Sequence, residues 1–159
     1  MKIKFLILHL VICLSSFSQT TLDSLIFVEV NNYRQKNGIE KLEYSKEVWE
    51  VANHHTEYMV STGELKHEEE ILIKPSSRMD YYGIQWNYCG ENIAVINPDY
   101  KTKNEIVLIV VQMWVDSPPH KEVLLSQKPT IGAISSFMGN KWDGYENTDW
   151  LFVTLNTVK

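Results

Sequence analysis

Two cysteines, Cys13 and Cys89, are all that this 159-residue chain contains, and the shortage excludes the small scaffolds that disulfides hold together. Its most apolar stretch, Phe5 to Leu14, spans ten positions with His9 among them, against the roughly 20 that a helix needs to cross a bilayer. Seven glycines and five prolines are scattered rather than clustered, so no flexible linker, repeat or low-complexity tract divides the chain. Basic residues are outnumbered, 15 against 20 acidic ones, for a formal net charge of −5. Without a basic stripe there is no electrostatic footprint for a polyphosphate, which excludes nucleic acid as a partner.

What stands at the start is a leader pattern. Lys2 and Lys4 precede the apolar run, and Ser16-Phe17-Ser18 places small residues at the −3 and −1 positions of a cleavage site. Residues 1–18 are therefore expected to be a signal peptide, with 19–159 a single domain, secreted without a membrane-spanning segment and monomeric. A lipoprotein site at Cys13 is disfavoured because Ile12 stands where a small residue is required. Cleavage leaves 141 residues, with 13 basic against 20 acidic side chains. A domain of that size buries about 70% of its unfolded surface, so its folding requires neither staple nor metal. Cys89 would then be the only cysteine. No His or Lys stands beside it to lower its pKa, which predicts a small buried hydrophobe rather than a reactive thiol.

Leu22, Leu25, Ile26, Val30 and Tyr33 recur at three- and four-residue spacing ahead of Gly38, predicting an amphipathic helix over 20–37. A second helix is expected from Ser45 to Gly63, with Val48, Ala52, His55 and Met59 down one face. Pro75-Ser76-Ser77 reads as the start of a short helix ending near Gly83. Residues 106–111 conflict: their β-branched content argues a strand, while Thr102 as N-cap and Met113-Trp114 argue a helix through about 116. Pro118-Pro119 fit only the first turn of a new helix. Ile131 to Met138 and Trp150 to Thr157 read as an antiparallel strand pair separated by a loop at 139–149. Helices first and strands last imply an α+β layered domain.

Only four histidines follow the leader: His54, His55, His67 and His120. His54 and His55 diverge by about 100° on a helix, so they cannot share one ion from there. His55 continues the apolar face and is expected to be a hydrogen-bonded core histidine, with His54 at the margin. His67 lies in a polar loop segment before Glu68 to Glu70, a run that reads as a solvated face. Glu91, in Gly90-Glu91-Asn92-Ile93, leads into an apolar run. It is either a structural carboxylate or a metal ligand or general base. His120 falls at the third position of the Pro-Pro helix, where the dipole opposes a positive ring, and a neutral imidazole suits a ligand or a base. Ser117, three residues earlier, would permit a Ser/His pair, but helix capping accounts for it and no acid partner is indicated.

Taken in order, these pieces resemble the CAP superfamily, the cysteine-rich secretory protein, antigen 5 and pathogenesis-related protein 1 group, also called the SCP domain. The match rests on Asn32-Tyr33-Arg34; Val51-Ala52 through Met59, then Gly63 and His67; Gly90-Glu91-Asn92-Ile93-Ala94; Met113-Trp114 with Ser117-Pro118-Pro119-His120; Ile131-Gly132; and Trp150 to Asn156. The resemblance implies a three-layer α-β-α sandwich with a central antiparallel sheet, and a helix rather than a strand at 106–111. It also implies a cleft for a divalent metal, commonly zinc, with His67, Glu91 and His120 as its residues here. The eukaryotic pattern carries a glutamate where this chain has Ser117 and a histidine in the last strand where it has none, so the chain is similar to the compact bacterial branch and lacks a recognisable second acid. Two functions remain open. One is a secreted, non-catalytic module whose cleft holds a metal, a small ligand, a lipid or an envelope component. The other is a metal-dependent hydrolase with zinc-activated water and Glu91 as base.

Overall fold

Five helices and four strands make up residues 21–159, the part described by the computed structural model; the expected leader at 1–18 lies outside it. The helices are α1 (Leu22–Lys36), α2 (Lys46–Thr62), α3 (Pro75–Tyr81), α4 (Lys103–Asp116) and α5 (Pro118–Leu125). The strands are β1 (Glu43–Tyr44), β2 (Cys89–Ile96), β3 (Ile131–Trp142) and β4 (Tyr145–Val158), in spatial order β1-β3-β4-β2. Three of the four pair antiparallel; the two-residue β1 adds a parallel edge to β3.

The alternation of side chains along a strand splits β2 between two layers. Ala94 and Ile96 join Ile26 and Val30 of α1, Val107, Val110 and Trp114 of α4 and Leu124 of α5 in one apolar cluster. Ile93 and Val95 face the other way, against Met59 of α2. Helices therefore cover both sides of the sheet, and the fold is an α+β three-layer sandwich. Among the described residues no helix is long and apolar enough to cross a membrane.

Local chemistry explains the boundaries. Residues 106–111 are helical. Thr102 and Glu105 form a reciprocal capping box, and Ile106, Val107, Val110, Val111 and Trp114 fall on one buried stripe. Helix α2 stops at Gly63, whose φ of 72° is left-handed. The expected loop at 139–149 is corrected: β3 and β4 continue through it to a two-residue turn. Asp143 and Gly144, at φ 49° and 79°, form the left-handed pair that a tight hairpin requires. Trp142 packs on Trp150 at 4.7 Å between ring centroids, which holds the extended ribbon together beyond an irregularity between Gly139 and Lys141.

Candidate functional site

The site gathers at β2, an edge strand, where the loop after α2 meets the start of α5. Glu91 points to the α2–α3 side and Asn92 to the α5 side, as consecutive strand residues do. Asn92 Nδ2 donates to the His120 carbonyl at 2.9 Å and fixes the start of α5 on β2. On the other side, Glu91 Oε1 lies 2.9 Å from His67 Nδ1. The rings of His67 and His120, arriving from the two sides of the edge, stand 6.2 Å apart between centroids.

Glu91 is wholly enclosed by donors. Its Oε2 accepts from Arg78 Nη2 at 2.5 Å and from Asn156 Nδ2 at 3.0 Å, Asn156 being its cross-strand neighbour in β4. Burial alone would raise its carboxyl pKa. The His67 hydrogen bond and the charges of His55 and Arg78 outweigh that and bring it down to about 2. Because an ionised carboxylate only accepts, His67 Nδ1 carries the proton, which leaves the Nε2 lone pair available in the neutral ring. His120 is pushed toward the neutral form by burial and then by repulsion from His67. The helix start is where the sequence put it, but Ser117 caps no backbone amide with its side chain, so its expected hydroxyl cap is absent.

A second carboxylate completes the floor. Glu69 was expected on a solvated face; instead it is 7% exposed. It lies 2.7 Å from His55 Nδ1, 3.1 Å from His54 Nε2 and 3.2 Å from Arg78 Nη1. Burial works to raise its pKa, and the His55 hydrogen bond with the charges of Arg78, His55 and His54 lowers it instead. Arg78, fully buried, also donates to the carbonyls of His67 at 3.1 Å and Leu72 at 3.3 Å, tying the His67 loop to α3. Glu69 and Glu91 thus share one guanidinium, and His54, His55 and His67 are their remaining partners. His55 is buried and hydrogen-bonded as expected, but it belongs to this cluster: its Nε2 stands 3.6 Å from Glu91 Oε1.

Sequence reasoning thus missed Glu69, Arg78 and the part His55 plays. A signal existed. His55 on a buried helical stripe demands a partner, and the acidic run at 68–70 stood close enough in the chain to supply one. Cys89 is half-buried, and burial followed by the charge of Glu91 pushes its thiol up to about 12, which makes it a poor nucleophile.

Among the described residues no three His, Cys, Asp or Glu side chains are arranged as a cage for a metal. The donor chemistry fits a narrower holding: His67 Nε2 and a neutral His120 are nitrogen donors, while Glu91 has both oxygens engaged and stands behind His67.

Known proteins share this framework. The Cysteine-rich secretory protein family (CAP) matches residues 27–155. The Bacillus subtilis (strain 168) uncharacterized membrane protein YlbC is 29% identical over 112 residues, covering 70% of this chain and 30% of its own. An extracellular protein containing an SCP domain from Bacillus anthracis str. Ames superposes with a TM-score of 0.66 at 21% identity, over 87% of this chain and 40% of that one. This chain therefore spans well under half of either relative. NaASP2, solved with Zn2+, superposes with a TM-score of 0.56 at 12% identity, over 89% and 82% of the two chains. With the family match spanning most of its length and the sandwich common to the solved structures, this chain belongs to the CAP (cysteine-rich secretory protein) family.

Proposed function

We propose that this protein is a secreted, non-catalytic binding module whose cleft, formed by His67 and His120 over Glu91, holds zinc or another divalent metal ion, or a small ligand or envelope component. The observation that carries the reading is the Glu91 carboxylate fixed on His67 Nδ1 with the His120 ring opposite. A carboxylate behind a histidine orients the ring and raises its donor strength. The zinc-bound NaASP2 lends the metal support by analogy of fold alone. A bound ion would supply a fixed positive charge for an anionic group of the ligand.

Calorimetric titration of the mature chain with zinc tests this. The expected result is saturable binding, about tenfold weaker in His67→Ala and in His120→Ala, with Glu91→Gln weakening it in the same range through loss of orientation. No binding by the folded wild type, or binding by both histidine variants as tight as that of wild type, removes the metal from the reading. The hydrolase alternative is weakened by Glu91 itself: a carboxyl held at about 2 and bonded to Arg78 is a poor acceptor for a proton from water near neutrality.

A further inference from the structure

Beside the histidine cleft, a cavity of about 350 Å³ opens between α2 and the 69–72 segment. It shares Glu69 and His54 with the charged cluster under that cleft but neither His67 nor His120. His54, Tyr58 and Tyr81 supply its aromatic walls and Glu69 and Glu70 its acidic ones. The His54 ring meets Tyr81 edge-on at 6.2 Å, so these walls form a corner rather than a flat face. Both polar ends of His54 are occupied: Nδ1 lies 3.1 Å from the Tyr82 hydroxyl and Nε2 lies 3.1 Å from Glu69. The ring is therefore held as a fixed wall and offers a ligand no free nitrogen.

Three observations choose the ligand's charge. Glu69 and Glu70 line the cavity with no lysine or arginine among its walls, and the nearby Arg78 is divided between Glu69 and Glu91, so the lining is acidic. The surrounding carboxylates add to it. Burial, then Tyr81, and after them Glu50, Glu57 and Glu69 raise the pKa of the nearby Tyr82 phenol. The protein's own Lys66 ammonium already sits 5.6 Å from the centroid of the Tyr58 ring, within the range at which a cation is attracted to an aromatic face.

A further observation chooses the kind of cation. The buried Glu69 oxygens already face His54, His55 and Arg78. A primary ammonium, compact and strongly hydrated, would need three acceptors on losing its water. A quaternary trimethylammonium, which has no N–H, needs none. It gains from aromatic faces and a negative field, which are what the cavity provides. We infer that the cavity bounded by His54, Tyr58, Tyr81, Glu69 and Glu70 is a binding site for a methylated ammonium group, as carried by choline or by a phosphocholine headgroup.

The test is calorimetric titration of the mature chain with choline, beside 3,3-dimethyl-1-butanol, which has the same shape without the charge. Choline is expected to bind saturably and the neutral alcohol at least about tenfold more weakly. Tyr81→Ala is expected to weaken choline about tenfold, and Glu70→Gln by a smaller factor that shrinks with added salt. Both residues are exposed, so these variants should keep the wild-type circular dichroism. His67→Ala is expected to bind choline as wild type does, which separates this site from the metal cleft. Flotation with phosphatidylcholine vesicles distinguishes the sources: co-flotation lost in Tyr81→Ala assigns a lipid headgroup, and choline binding without flotation assigns a free amine. Absence of saturable choline binding, equal binding of the neutral alcohol, or wild-type binding by both Tyr81→Ala and Glu70→Gln would overturn the inference.

Discussion

The two layers that cover the sheet each bury an arginine, and the two arginines are held by opposite means. Arg34 of α1 is 1% exposed and donates to the carbonyls of Glu40, Leu124 and Ser126 at 2.7–2.9 Å. Its surroundings are the large apolar cluster of α1, α4 and α5. Arg78 of α3 is 0% exposed and lies between two carboxylates. On its side the hydrocarbon is divided into two smaller clusters, around Val51 and around Phe152. Buried polar side chains, Thr56, Thr154, Ser135 and Asn156 among them, accompany the charged groups. One layer is held to the sheet chiefly by removing apolar surface from water, a force indifferent to pH. The other depends on a charge network in which each member is costly without its partner. The site lies on the second layer and at its edge, where a loop can carry a histidine into reach.

The contrast is broken most severely at Arg78. Arg78→Ala leaves Glu69 and Glu91 buried without their cation, and urea unfolding should show a loss of about 3–5 kcal/mol. On the other layer Leu124→Ala removes a side chain 1% exposed and should cost about 3 kcal/mol, equally at pH 4 and pH 7. A loss from Arg78→Ala no larger than that of an exposed substitution would show that the network contributes little.

Acid separates the layers next. The folded-state pKa of Glu91 lies below its ordinary value, so the unfolded chain takes up the proton first. The resulting stability is complete above the ordinary value of 4.5 and is lost as pH falls toward about 2. Wild type should lose roughly 3 kcal/mol over that window, and Glu91→Gln, less stable at pH 7, should lose correspondingly less. Superimposable pH profiles of the two proteins would refute the assignment.

Smaller effects sharpen the comparison. Thr102→Ala removes the capping box of α4 and should lower stability by about 1 kcal/mol without altering metal binding. Cys89, with its thiol pushed up to about 12, should react with iodoacetamide at pH 8 far more slowly than in the urea-unfolded chain.

The apolar layer was the more legible in sequence, because its information is periodic. Ile26 and Val30 marked α1 by spacing alone; at 106–111 pattern left strand and helix in conflict, the family resemblance implied the helix, and the structure shows it opening on a Thr102–Glu105 capping box. The charged layer was legible only in part. His67, Glu91 and His120 could be identified from short motifs. Glu69 was not, since a glutamate between two glutamates carries no periodic signal, the one hint being His55's need of a partner, and its burial depends on Arg78, nine residues on and in another element. The 139–149 stretch was misread for a related reason. Its polar composition resembles a loop, and only the Asp143-Gly144 turn with the Trp142–Trp150 contact makes strand of it.

The strand order also sets when this molecule can exist. The two central strands, β3 and β4, come last in the described chain, while the helices that must pack on them come first. Until residues 131–158 have been made, neither face of the sheet is available, and the stripes of α1, α2 and α4 have nothing to bury against. The final hairpin, by contrast, forms through contacts local in sequence and can serve as the template on which the earlier segments settle.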